Sequence, residues 1–275
     1  MKKLMFVAAA AMACSAFCIE SANTVGYMTP QLGGEYESLL FGNMFVPVGS
    51  ADGSWQLGDV KPTGMDPDGD NIQILNDDLD AEYEVTYVSE EICTRLHKST
   101  DLAGWWDAYD FLGDPDSRYD DMTIAQGTGF LCGMYSGNDV VFTFSGEVAQ
   151  GAISVSNKIV DENDDEVLLE SPLINNPTAK TVTLAQIDAE GFDPDGDNIQ
   201  FLNDDLDAEY EVTYVSEAIC TRLHKSTDLA GWWDAYDFLG DPDSRLDDLE
   251  LAPGAAVLGG FYSGNEITLT FPSAL

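Results

Sequence analysis

The stretch NIQILNDDLDAEYEVTYV, residues 71–88, encodes two strands around an acidic turn. Polar residues alternate with apolar or β-branched ones along 71–75 and again along 83–88, which is the pattern of half-buried β-strands. Residues 76–82 between them are rich in Asp and Glu, as in an exposed turn. The stretch therefore predicts two strands that each bury one face.

Similar strand patterns recur near the middle and the end of the chain, each around a Ser-Gly-Asn turn signal, at residues 130–144 and 257–271. Helical periodicity is scarce, and residues 89–98 fit either a short helix or an irregular crossover. Short strands with frequent Gly, Asn and Asp turns are typical of antiparallel sandwiches and small barrels. We therefore predict a mostly β fold of two tandem antiparallel β-sandwich or small-barrel modules.

The tandem organisation follows from an internal duplication. Residues 66–118 recur as 193–245, offset by 127, and differ only at Ile74/Phe201 and Glu91/Ala218 among 53 positions. We call these two copies the repeated block. The duplication predicts module 1 at residues 22–148 and module 2 at residues 149–275. Any site in one module should therefore recur in the other.

Identity outside the repeated block is much lower. At the same offset, residues 22–65 match at four of 44 positions and residues 119–148 at 12 of 30. Either selection retains a working surface in the repeated block, or recent recombination has copied the middle of the module. Both interpretations remain open at the level of the protein sequence.

The N-terminus has the pattern of an export signal, which we assign to residues 1–21 with a short remnant. Lys2 and Lys3 precede an apolar stretch, 4–13, that is too short to span a bilayer. Small residues place cleavage after Ala16 or Cys18. No later segment has the sequence of a transmembrane span. We therefore predict an exported protein, extracellular or at the cell surface.

The charge balance is strongly acidic. Fifty Asp and Glu residues face 11 Lys and Arg, for a formal net charge of −39. Nucleic acid is excluded as a partner, because binding phosphate requires clusters of basic residues. The hydrophobic fraction of 44% is nevertheless sufficient for globular cores. Bound cations or a saline medium must offset the charge.

The motif DPDGDN at residues 66–71, repeated at 193–198, is the strongest chemical signal. Calcium takes six to eight oxygen ligands, and Asp residues at alternate positions of a tight turn can direct several carboxylates at one centre. We therefore predict calcium as a cofactor. The predicted ligands are Asp66, Asp68, Asp70 and Asp77, with Asp193, Asp195, Asp197 and Asp204 in module 2. The alternative is an ordinary turn with solvated acids.

The ends of module 1 carry a family resemblance. Residues 22–27 read ANTVGY, and the module closes with GTGF at 127–130 and FTFSGEV at 142–148. The chain resembles uncharacterised secreted bacterial β modules with an ANTVGY-like start and a PGxGF…LTFxGEV-like C-terminal hairpin. Module 2 departs from this pattern, with Ala-Ala-Val at 255–257. The resemblance implies export and β structure, without a known activity.

Paired tryptophans open an aromatic cluster in each module. Adjacent residues of a strand point to opposite faces, so one tryptophan of each pair is expected in the core and the other at the surface. An exposed aromatic ring beside carboxylates can stack on a sugar. The candidate stacking residues are Trp106, Tyr109, Trp233 and Tyr236. The alternative is that the outer tryptophan packs under a loop or at an interface.

Basic residues are concentrated in one segment of each module, the basic island, formed by Arg95, His97 and Lys98 and by Arg222, His224 and Lys225. One interpretation is an exposed salt bridge of small energetic value. Another is contact with an acidic loop of the other module or of another molecule. Such a contact would repeat head to tail and make the protein its own partner in open assemblies.

If the signal is cleaved beyond Cys18, three cysteines remain: Cys93, Cys132 and Cys220. An odd number in an exported protein implies a free thiol or an intermolecular bond. The alternatives are a Cys93–Cys132 disulfide, a Cys93–Cys220 disulfide between the modules, or three buried thiols.

Together these features predict a secreted, acidic tandem-repeat protein without catalytic activity. The first hypothesis is a calcium-stabilised structural or cell-surface module that associates with itself. The alternative is an extracellular module that binds a glycan or a surface through exposed Trp and Tyr residues. A secreted glycosidase is a third candidate, but acids are too abundant to single out a catalytic pair.

Overall fold

The computed structural model describes residues 25–28, 31–32, 37–43, 45, 53–75, 81–149, 151–160, 165–203 and 206–273. Strands account for 42% of the structure and form several antiparallel sheets. The predicted mostly β fold with sandwich-like modules is confirmed, and the described residues form no closed barrel. The predicted signal peptide, Asp77 and Asp204 lie outside the described residues. None of the helices in these ranges has the length and apolarity needed to cross a membrane.

Module 1 contains eleven strands in its described part: β1 (Val25–Met28), β2 (Gln31–Leu32), β3 (Glu37–Gly42), β4 (Trp55–Gln56), β5 (Asp70–Leu75), β6 (Ala81–Val88), β7 (Gly104–Asp107), β8 (Thr123–Ile124), β9 (Gly129–Met134), β10 (Val140–Val141) and β11 (Phe144–Glu147). It also contains helix α1 (Glu90–Arg95) and 3-10 turns at Leu57–Asp59, Thr100–Leu102 and Pro115–Ser117. Five strands form the main sheet, in the order β3-β9-β5-β6-β7. The others pair as β1-β11, β2-β10 and β4-β8.

Module 2 contains twelve strands in its described part: β12 (Ile153–Ser156), β13 (Lys158–Val160), β14 (Glu166–Leu168), β15 (Leu173–Asn175), β16 (Val182–Thr183), β17 (Asp188–Glu190), β18 (Asp197–Leu202), β19 (Ala208–Val215), β20 (Gly231–Asp234), β21 (Glu250–Leu251), β22 (Ala256–Phe261) and β23 (Thr268–Phe271). It also contains helix α2 (Glu217–Arg222) and 3-10 turns at Leu184–Gln186, Thr227–Leu229 and Pro242–Ser244. Its main sheet has the order β15-β22-β18-β19-β20. The smaller sheets are β12-β23-β17, β13-β14 and β16-β21.

The main sheet of each module has two different faces because side chains alternate along its strands. In module 1, Val85 pairs with Ile72, and both are buried in the main core, which the smaller sheets complete. Val88 of the same strand lies on the opposite face, which we call the outer face. There it packs with Trp106 and with Ile92 of α1 in a second, smaller core.

Helix α1 is short but well capped. The Ser89 side chain accepts a hydrogen bond from the N–H of Ile92 at 3.3 Å, which satisfies one of the free donors of the first turn. At the other end, Lys98 N–H donates to the Cys93 carbonyl at 2.8 Å, and His97 has a φ of 55°. This is a Schellman motif with histidine in the left-handed position that glycine usually occupies. The short-helix alternative for residues 89–98 is therefore the one observed.

The strand registers show how the first strands of the two main sheets correspond. Leu40 lies opposite Leu131, and Leu173 lies opposite Leu258, which is Leu131 shifted by 127. Leu40 therefore corresponds to Leu173, at an offset of 133, so module 1 has six more residues between this strand and the repeated block. At this offset residues 37–43 match 170–176 at four of seven positions. The low identity of this flank at a fixed offset thus partly reflects a change in length.

The two modules contact each other with approximate two-fold symmetry, at a surface we call the junction. The N–H of Gly42 donates to the Gly254 carbonyl at 2.8 Å, and the N–H of Asn175 donates to the Gly127 carbonyl at 2.8 Å. Gly42 corresponds to Asn175 by strand register, and Gly127 to Gly254 by the 127-residue offset. Each module therefore uses the same surface, and the contact is isologous.

Candidate functional site

The DPDGDN loop of module 1 is built around one buried carboxylate. Asp70 is 1% exposed. One of its oxygens accepts from the N–H groups of Tyr135 and Ser136 at 3.0 and 2.9 Å. The other accepts from the Asp66 N–H at 2.9 Å and the Ser136 hydroxyl at 2.6 Å. Asp70 therefore ties the loop to the C-terminal hairpin, and both of its oxygens are already used.

The same anchor is present in module 2, where Asp197 accepts from the N–H groups of Asp193 and Ser263 at 2.8 and 2.9 Å. Asp70 and Asp197 thus point at backbone donors rather than at a shared centre with the neighbouring acids. Within the described ranges, no group of three or more His, Cys, Asp or Glu residues is arranged to hold a metal ion. Calcium remains a prediction that depends on the exposed acids Asp68 and Asp195 and on residues outside the described ranges.

The basic island contacts its own module. Arg95 lies 3.6 Å from Asp66 Oδ1, and Arg222 lies 3.6 Å from Asp193 Oδ1. The expected contact with an acidic loop of the other module is therefore wrong for these two arginines. Each arginine side chain is 56% exposed, so the pair is screened by solvent and stabilises the loop only weakly.

The paired tryptophans point to opposite faces, as expected, but both are buried. Trp105 lies in the main core, whereas Trp106 is 2% exposed and donates its indole N–H to the Leu102 carbonyl at 3.0 Å. The Arg118 guanidinium lies over its ring at 5.7 Å from the centroid. Trp233 is equally buried, beneath Arg245. The predicted sugar-stacking role of Trp106 and Trp233 is therefore wrong, because α1 or α2 and the arginine loop cover the outer tryptophan.

The two tyrosines that were predicted to stack on a sugar are, by contrast, largely exposed to solvent. Tyr109 and Tyr236 are each 81% exposed. The hydroxyl of Tyr109 donates to Glu84 Oε2 at 2.8 Å, and that of Tyr236 donates to Glu211 Oε2 at 2.8 Å. The hydrogen bond to the carboxylate raises the pKa of each tyrosine, so both phenols stay protonated donors at neutral pH. Each module therefore holds one exposed aromatic ring in a defined position.

Beside this tyrosine, the outer face carries polar groups that the sequence did not single out. By alternation along β5 and β6, Asn71 and Gln73 lie on the same face as Glu84 and Thr86, and Gln73 pairs directly with Glu84. Asn71 Oδ1 and the Thr86 hydroxyl are buried atoms without a hydrogen-bond partner. The alternation in residues 71–88 was the available signal, because it placed these amide and hydroxyl groups on the polar face.

The cysteines follow the third alternative. Cys93, Cys132 and Cys220 are free and buried, each in a different core cluster. Burial raises the pKa of all three thiols, and that of Cys132 most clearly. They are therefore packing groups in this structure rather than nucleophiles.

The chain stands apart in comparison with known proteins. It matches no protein-family model, no curated protein and no solved structure. The case for its function consequently rests on its own residues.

Proposed function

We propose that this chain is an exported, non-catalytic, bivalent surface-binding protein. The observation that supports the proposal is the duplicated surface: the repeated block presents the same exposed tyrosine, fixed by the same glutamate, once in each module. The junction links the two copies through paired backbone hydrogen bonds. Two linked sites gain avidity on a repetitive target, by about 10²–10⁴-fold where the geometry allows both to engage.

This proposal is favoured over open head-to-tail assembly by the nature of the junction. An isologous contact uses the same patch on both modules, so pairing closes it. Neither module therefore retains an unused half of this contact for a further molecule. The basic islands, in addition, have their arginines paired within their own modules.

Binding of labelled mature protein to intact producing cells and to their shed extracellular material tests the proposal. We expect saturable binding that excess unlabelled protein displaces. Replacing Tyr109 alone or Tyr236 alone should mainly accelerate dissociation, whereas replacing both should remove binding. Absence of saturable binding, together with filaments or sheets of the purified protein, would contradict it and favour the structural alternative.

A calcium-stabilised structural module remains the second candidate, and the net charge of −39 is the observation that favours it. Calcium that binds only the folded state raises stability by about 2.7 kcal/mol per site at 100-fold excess over its dissociation constant. Asp68→Ala with Asp195→Ala should remove this gain if those acids are ligands. An equal stabilisation by sodium chloride at matched ionic strength would instead identify general screening.

A further inference from the structure

The polar set on the outer face is compact in both modules. Gln73 lies directly opposite Glu84 in the strand register, and Thr86 follows Glu84 by two residues on the same face. In module 2 the side chains of Gln200 and Asn198 are close enough for a hydrogen bond of 3.3 Å. The corresponding Gln73 and Asn71 of module 1 occupy the same register. Amide and carboxylate groups therefore lie side by side on the half-exposed part of each outer face, next to a buried threonine.

Beside this polar set, a few buried side-chain atoms have no hydrogen-bond partner. Thr86 and its counterpart Thr213 are both fully buried, and neither hydroxyl has a hydrogen-bond partner. Asn71 Oδ1 is buried and unpartnered as well. A buried polar group without a partner is unfavourable, by about 1–3 kcal/mol. Both threonines are closed to solvent beside the buried Trp106 and Trp233, so the groups of this face that a ligand can reach are the half-exposed asparagine, glutamine and glutamate.

Aromatic rings stand at two places on this surface. Tyr109, fixed by Glu84, is exposed beside the carboxylate. The ring of Tyr135 lies over Gly133, where a Cβ atom would come within 2.8 Å of Tyr135 Cε2. Gly133 pairs with Asn71, so the second ring lies next to the amide. A ligand on the face would therefore meet hydrogen-bonding groups flanked by aromatic surface.

These groups match a sugar better than an ion. Amides and hydroxyls both donate and accept hydrogen bonds, as sugar hydroxyls do, and an aromatic ring packs on the apolar face of a pyranose. An anionic ligand is opposed by the net charge of −39. A basic partner would be attracted by acids over the whole surface and would not be directed to this polar set.

We propose that the outer face of each main sheet binds a neutral polysaccharide chain, through Gln73, Glu84 and Tyr109 in module 1 and Gln200, Glu211 and Tyr236 in module 2. This inference rests on the proposed function and names its ligand class. The tyrosine ring stacks on a sugar, the glutamate holds the ring and accepts from a sugar hydroxyl, and the glutamine bonds the neighbouring residue of the chain. Because each molecule has two such faces, it can crosslink two polysaccharide chains or bind one chain at two points.

Affinity electrophoresis and calorimetry of the mature protein test this inference. The probes are soluble β-glucan, xylan, mannan and the neutral polysaccharide fraction of the producing cells, with dextran sulfate and polylysine as charged controls. The double variant Tyr109→Ala/Tyr236→Ala should weaken binding by about 30-fold or more, the usual effect of truncating an aromatic anchor. Tyr109→Phe/Tyr236→Phe keeps both rings and should lose much less. Asp121→Asn/Asp248→Asn is the matched control for exposed acids and should bind normally.

Gln73→Ala/Gln200→Ala provides a second test and should also weaken polysaccharide binding. These side chains are half-exposed, so their removal has little effect on folding. Binding of polylysine that depends on the same residues would overturn the inference in favour of a basic partner. Binding to cells without binding to any neutral polysaccharide would overturn it while leaving the proposed function intact. Loss of both would contradict the two proposals together.

Discussion

The repeated block and the junction differ in how closely the equivalent residues of the two modules match. In the repeated block, equivalent contacts coincide: the two tyrosine–glutamate hydrogen bonds are both 2.8 Å, and the two arginine–aspartate pairs are both 3.6 Å. At the junction, some equivalent residues differ: Gly42 corresponds to Asn175 and Gly129 to Ala256, whereas Gly127 and Gly254 are the same. Identity is therefore nearly complete through the repeated block, in its core as well as on its surface, and only partial where the modules face each other.

The asymmetry of the junction has a steric cause. A Cβ atom on Gly42 would lie 2.6 Å from Asn175 Cγ, and one on Gly129 would lie 2.8 Å from the Cβ of Ala256. Gly42 corresponds to Asn175 and Gly129 to Ala256, so each pair consists of equivalent positions meeting near the two-fold axis. Only one member of each pair has room for its side chain. A dimer of identical modules could not make this distinction, whereas a covalently joined pair can.

The largest expected effect concerns the buried aspartate that anchors the DPDGDN loop in each module. Asp70 accepts more hydrogen bonds than its counterpart Asp197. Asp70→Ala should lower the free energy of unfolding by about 4 kcal/mol, because it leaves buried N–H donors without an acceptor. Asp197→Ala should cost less, about 2–3 kcal/mol, since Asp197 accepts fewer hydrogen bonds. Urea unfolding in the presence of a chelator measures both. If the loss appeared only when calcium is added, Asp70 would be a metal ligand and not a structural acceptor.

The next effect tests the steric account of the junction. Gly129→Ala should destabilise the protein by about 2 kcal/mol, as is usual for overpacking. The double variant Gly129→Ala/Ala256→Gly exchanges the two residues across the axis and should recover most of the loss. Thermal unfolding of both variants provides the comparison. Equal destabilisation of the single and the double variant would show that Gly129 is needed for another reason.

The sequence predicted those features that depend on neighbouring residues. Alternation along residues 71–88 identified both strands and their two faces, and DPDGDN was recognised as a tight acidic turn. The acceptor role of Asp70 could not be inferred, because its donors Tyr135 and Ser136 are 65 and 66 residues away. The burial of Trp106 depended on α1, a helix for which the sequence also allowed an irregular crossover. Correspondence between the first strands was hidden by the six-residue difference in length.

A third prediction concerns alkaline pH, where the modules differ because Gly259 replaces Cys132. Burial raises the pKa of the Cys132 thiol well above its ordinary value of 9.0, so the folded state holds a proton that the unfolded state releases. Its contribution to stability is complete below pH 9.0 and is lost as pH rises toward the folded pKa. The free energy of unfolding should therefore fall by up to about 1.4 kcal/mol per pH unit for each such thiol.

Urea unfolding of reduced protein between pH 7.5 and 10.5 measures this slope. Cys132→Ala should make the decline less steep by the contribution of one thiol, and Cys220→Ala, which removes a thiol whose pKa burial raises less, should change it by a smaller amount. Burial also raises the pKa of Tyr87 and of Tyr214, so these two tyrosines contribute similarly to the slope in both modules. An unchanged slope in Cys132→Ala would show that this thiol does not determine the alkaline limit.

The smallest expected effect is a gain in stability at the end of α1. His97 and His224 adopt φ angles of 55° and 57° in the left-handed position of their Schellman motifs. Glycine takes this conformation without strain but loses more entropy on folding, so His97→Gly should stabilise the protein by a net ~0.5–1 kcal/mol. His97→Ala removes the imidazole and keeps the strain, so it should give no gain. Because both helices end in the same way, His224→Gly should match His97→Gly in thermal unfolding. A gain from alanine equal to that from glycine would assign the effect to the side chain, and a difference between the two modules would show that their repeated blocks are less equivalent than their coinciding contacts indicate.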